Sequence, residues 1–157
     1  MKITRIETVP AQIAVRPEFM ITSSKGTHRV SPYLLLRVET DEDIAGEGEA
    51  TTMPRWSGET CWTAKTIIDQ VLARELIGAD PTDIAAIDRI MDQNCSHNWF
   101  AKSAIEMACW DIKGKAAGKP VFELLGGPKR SLTIPARFSM AAYDPETAAQ
   151  KAVERVA

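Results

Sequence analysis

The chain has 157 residues, 45% of them hydrophobic and 25% charged, with a formal net charge of −2, which is ordinary globular composition without the basic excess of a nucleic-acid or membrane-surface binder. Its apolar runs are short and interrupted by Arg37 and Glu123, far from the ~20 residues that span a bilayer, and charged residues alternate with apolar ones from Lys2 onward, unlike a secretory signal. The three cysteines, Cys61, Cys95 and Cys109, are an odd number without CxxC spacing, so reduced thiols in a cytoplasmic protein are expected.

Ile3, Ile6, Val9 and Ile13 open the chain as a strand, with Pro10 marking an edge or a bulge. Residues 16–30 are polar, contain Pro17 and Gly26, and read as a long irregular loop of functional length. Residues 32–39 (PYLLLRVE) then predict a strand, residues 40–43 a turn, and residues 44–50 a second strand with Gly46 and Gly48 where side chains are expected. Together they make an antiparallel meander of about three strands. A second irregular stretch, residues 51–58, holds Pro54 and Trp56.

Helices follow. Ser57 is a candidate N-cap, and Trp62, Ile67, Ile68, Val71, Leu72 and Leu76 recur at helical spacing up to Gly78. Residues 83–92 place Ile84, Ile87 and Met91 on one face. Residues 98–117 predict the longest helix, with Ala101, Ala104, Ile105, Ala108 and Ile112 buried, Gly118 as a left-handed cap and Pro120 preventing continuation. Residues 120–125 form a short turn ending at Gly126 and Gly127. From Ser131 a new strand is expected to Met140, then Asp144 as N-cap, Pro145 in the first turn and a helix over 146–157: the first βα unit of a larger repeat. That helix has no stop signal, which is read as an interrupted chain.

The segment AKSAIEMACWDIKGKAAGKPVFELLGG, residues 101–127, resembles the N-terminal signature of the mandelate racemase/muconate lactonizing family of the enolase superfamily. The features that match are Ala101/Ser103/Ala104, Glu106, Ala108, Asp111, Gly114-Lys115, Pro120-Val121 and Leu124-Leu125-Gly126. Cys109 stands where the family more often has Leu or Ala. Asp111 and Lys115, spaced i,i+4, can pair. The phrase GEGEATTMPRWSGET, residues 46–60, is similar to a muconate-lactonizing-type cap.

The resemblance implies an α+β capping domain over 1–127, a three-stranded antiparallel meander plus helices, and the start of a TIM-type (β/α) barrel over 128–157. It implies an enzyme in which Mg²⁺ holds a substrate carboxylate while a base removes the proton α to it, the cation stabilising the enediolate. The bases are typically lysines on the second and sixth barrel strands and the metal ligands carboxylates on the third to fifth. None of those strands is expected within residues 1–157, so no catalytic residue or metal ligand is assigned and the chain alone is expected to be inactive. The resemblance also implies that two cap loops choose the substrate, one with Phe19, Met20 and the Lys25-Gly26 end, the other with Met53 and Trp56. His28 is a further substrate-facing candidate, and Ser139 would face the site from the end of the first barrel strand, beside an inward Arg137 whose partner is not evident.

Each has a plainer reading. Phe19 and Met20 could form a local cluster, Trp56 could anchor the helix after Gly58, and His28 and His97 could be surface residues. Asp41-Glu42-Asp43 reads as a solvated hairpin tip without the Gly and Glu of an EF-hand loop. Glu47 and Glu49 share one strand face. The expected parent is a cycloisomerase, racemase/epimerase or dehydratase acting on a small carboxylate, docked on its own barrel and homo-oligomeric, with neither nucleic acid nor membrane as partner. The rival is a naturally short, non-catalytic binding or interaction module with the cap fold.

Overall fold

Ile3–Ala14 forms β1, the first strand of the computed structural model, which describes residues 1–24, 26–134, 140 and 142–156. Pro17–Phe19 is one turn of 3-10 helix, and Ile21–Ser23 (β2) pairs antiparallel with Gly26–His28 (β3). The stretch expected to be irregular is thus a turn and a small hairpin, closed by local pairs such as Thr22 with Thr27, whose hydroxyls lie 3.0 Å apart.

Val30–Thr40 (β4) and Ala45–Thr51 (β5) pair antiparallel in the register Leu36↔Gly48, and the sheet order is β1-β4-β5. Thr40 closes the turn by donating to the Ile44 carbonyl at 2.7 Å. Leu34, Leu36 and Val38 point into the core, while Arg37 and Glu47 pair on the opposite face at 3.1 Å.

Helices follow the sheet: α1 (Pro54–Ser57), α2 (Cys61–Ile67), α3 (Ala73–Leu76), α4 (Ile84–Asn94) and α5 (Trp99–Ala117). Ser57 does not cap α2. Thr60 does, its hydroxyl accepting from Thr63 N–H while Thr63 reaches back to the Thr60 N–H, a reciprocal pair that satisfies two orphan donors. A π segment, Ile68–Leu72, joins α2 to α3. Buried Ala64, Ile68, Leu72 and Leu76 recur every fourth residue, a spacing that drifts about 40° per step on an α-helix. The wider π turn absorbs that drift and keeps the stripe in the core. Trp62, expected on that stripe, is 63% exposed.

Asp83 caps α4, and α5 buries Ala101, Ala104, Ile105, Ala108 and Ile112 where β5, α4 and α2 pack on it, leaving Trp99 and Met107 exposed. Ser103 faces solvent, whereas Lys102 is buried because its amine meets Asp92 on α4 at 2.6 Å and lies over Trp99. Gly118 (φ +62) ends α5 as expected, and α6 (Val121–Leu124) follows. One core joins Ile3, the inward face of β4, α2 to α5 and the π segment.

Residues 131–134 and Met140 adopt no strand, and residues 135–139 of the expected barrel strand, including Arg137, lie outside the described residues. α7 spans Pro145–Val156, with Asp144 accepting the Thr147 N–H at 3.0 Å. The chain divides into two compact units, Met1–Gln12 with Pro32–Pro128, and Ile13–Ser31 with Lys129–Ala157. Among the described residues no helix is long and apolar enough to cross a membrane.

Candidate functional site

Phe19, Met20 and His28 belong to the second unit. Pro17 fixes the start of the one-turn helix, whose bonds run from Phe19 N–H to the Arg16 carbonyl (2.9 Å) and from Met20 N–H to the Pro17 carbonyl (3.3 Å). The chain leaves the turn extended at Met20, so Phe19, Met20 and Ile21 follow one another into β2. Phe19 and Ile21 are each half exposed, at 50% and 51%. Ile21 pairs with His28, which is half-buried and lies 2.8 Å from the Ser31 hydroxyl through Nε2. The Ala142 N–H bonds the Thr22 carbonyl at 3.3 Å, tying the hairpin to the segment before α7.

Met53 and Trp56 belong to the first unit, where β5 runs out into α1. The Met53 carbonyl accepts Trp56 N–H, Ser57 N–H and the Ser57 hydroxyl at 2.9, 3.0 and 3.2 Å, and Gly58 (φ +75) ends the turn. Trp56 leaves 76% of its surface in solvent, so it is not a buried anchor for α2. Thr52 beside it is wholly buried, and its hydroxyl has no partner among the described residues. Ser139 lies outside the described residues.

The acidic tip is solvated as expected, with Asp41 accepting the Lys2 N–H and Glu42 meeting the N-terminal amine. That contact raises the pKa of the amine. Between α4 and α5, Asp88, Asp92, Lys102 and Glu106 line one groove. Burial, then Glu106 and Asp92, push the Asp88 carboxyl above the usual carboxylate range. Burial pushes the Cys109 thiol up to about 12, which makes it a packing group without nucleophilic character. No three His, Cys, Asp or Glu side chains among the described residues converge on a metal position. They do not fit a Mg²⁺ site, and no chemical step passes through one here.

Residues 4–126 match the family described as Mandelate racemase / muconate lactonizing enzyme, N-terminal domain. The chain belongs to this family. Within the mandelate racemase/muconate lactonizing family it is 33% identical to the N-succinyl-L-Arg/Lys racemase of Bacillus cereus over 99% of this chain and 42% of the racemase. It is 34% identical to a chloromuconate cycloisomerase of Cupriavidus pinatubonensis, again over 99% and 42%. The crystal structure of a dipeptide epimerase from Enterococcus faecalis, complexed with Mg and the dipeptide L-Leu-L-Tyr, superposes with a TM-score of 0.88 at 28% identity, over 99% of this chain and 43% of that one. The chain therefore spans about two fifths of the length of these relatives.

Proposed function

We propose that this chain is the N-terminal, substrate-selecting part of a Mg²⁺-dependent enzyme that removes the proton α to a carboxylate, as a racemase or epimerase, a cycloisomerase or a dehydratase. The observation that carries this reading is the likeness, over 99% of the chain, to an epimerase whose structure holds Mg and a dipeptide. In this reading residues 1–127 are the cap, residues 128–157 begin the barrel, and the bases and metal ligands belong to the remainder of the barrel. The complete protein acts on a small carboxylate and assembles as a homo-oligomer.

The contribution of this chain is to hold the substrate and exclude water. Half-exposed Phe19, on the one-turn helix, and Ile21, on a hairpin only three residues long on each side, leave apolar surface there, and such surface is buried when a loop closes over a ligand. Met20 and His28 sit on the same hairpin. Met53 and exposed Trp56 form the second cap element, carried on a one-turn helix with left-handed Gly58 as its hinge.

The test is made in the complete protein with Phe19→Ala, Met20→Ala and Met53→Ala. A partly covered lid side chain should cost about ten-fold in kcat/KM while Tm changes little. Lower Tm with unchanged kcat/KM would return these residues to a structural role.

A further inference from the structure

β5 is the outer strand of the order β1-β4-β5. The side of an edge strand turned away from its neighbour carries unpaired N–H and C=O groups, which accept a strand from another chain unless something blocks them. On β5 two such groups are taken by α5. The Glu47 N–H donates to Asp111 Oδ2 at 3.0 Å, and Lys115 Nζ donates to the Ala45 carbonyl at 2.8 Å. Asp111 and Lys115 also meet each other at 2.6 Å.

The pattern fixes which groups face outward. The Glu47 N–H is spent on α5, so Arg37↔Glu47 is a pair without backbone bonds to β4, and Ala45, Glu47, Glu49 and Thr51 present their backbone to the free edge. Helix α5 comes close enough to reach them because Gly46 and Gly48 have no side chains. A Cβ on Gly46 would lie 2.0 Å from the Ala108 carbonyl oxygen, and one on Gly48 2.0 Å from that of Ala104.

Both partners of the pair are partly exposed, with side chains 35% and 49% accessible, and such pairs contribute little stability of their own. Their placement does more than their attraction. We propose that Asp111 and Lys115 are an edge guard: they occupy the outward backbone of β5 and stop a second copy of this chain from adding its own β5 there. The occupant excluded is another β5, because two identical edges pair antiparallel about a two-fold axis and are self-complementary by construction.

The test uses the 157-residue chain with Asp111→Ala and Lys115→Met, followed by light scattering and amide hydrogen exchange over a concentration series. Asp111→Asn keeps an oxygen acceptor for the Glu47 N–H, and Met91→Ala is a core variant destabilised away from the edge. The guard predicts self-association tighter by about ten-fold or more in Asp111→Ala and Lys115→Met, the scale of two regained backbone bonds. It also predicts protection at the Glu49 amide that grows with concentration, while Asp111→Asn and Met91→Ala stay with the parent. If Asp111→Ala does not fold, Lys115→Met decides alone. The proposal is overturned if the folded guard variants keep the parent's size whatever their Tm. It is equally overturned if Met91→Ala associates as strongly, or if Asp111→Asn matches Asp111→Ala.

Discussion

Glu59 is buried with its carboxylate 3.1 Å from the Phe100 N–H and 3.4 Å from the Ala101 N–H, so a residue some forty positions upstream caps α5. Asn98, the local candidate, is left-handed (φ +53), and its amide donates to the Ser96 carbonyl at 3.0 Å. A carboxylate at this end also meets the positive pole of the helix. Glu59→Ala should therefore destabilise the chain by roughly 1–3 kcal/mol, measured by urea unfolding, and Glu59→Gln by less, because it keeps an acceptor. Asp88 runs the other way. Its folded pKa is raised, so the residue favours folding only when protonated, below its unfolded value near pH 4, and that contribution is lost as pH rises through the folded value. Asp88→Asn should raise Tm at neutral pH, and the gain should shrink as pH falls towards about 4. A pH-independent gain would mean that charge is not its cause. Neither role was legible in the sequence, because both depend on neighbours brought in by the fold.

At the scale of elements, what the sequence revealed was what local chemistry decides. The Ile84, Ile87 and Met91 face, the Ala101–Ile112 stripe and the Gly118 stop are set within a few residues, and the structure places them as read. The hairpin inside residues 16–30 was missed because its strands are three residues each, too short for an alternating pattern. The α2 face was misread at Trp62, which stands two residues, about 200° of regular helix, from buried Ala64 and so points away from the stripe. The Gly46 and Gly48 anomaly was visible, but its reason lies in the helix across from it. Gly48→Ala, Ala104→Leu and Ala108→Leu should each cost roughly 1–3 kcal/mol, the scale of overpacking, because the backbones of α5 and β5 must separate. Differential scanning calorimetry checks this, and an unchanged Tm in all three would mean that the interface has slack.

At the scale of the whole molecule, the three-stranded sheet was legible from the strand patterns of residues 3–50, and the family from the long signature of residues 101–127. The candidate site was legible only in part. Phe19, Met20 and His28 lie on one turn and the hairpin that follows it and Met53 and Trp56 on another turn, in two different compact units. The central claim is a division of labour, in which this chain selects the substrate while acid–base and metal chemistry belong elsewhere in the complete protein. The direct measurement is deuterium incorporation from D₂O at the α-carbon of dipeptides, N-acylamino acids and muconate-like acids. It is read by NMR for the complete protein with Mg²⁺ and for the 157-residue chain under the same conditions. The account predicts exchange of at least one of these classes by the complete protein and none by the chain. Exchange catalysed by the 157-residue chain alone would contradict it.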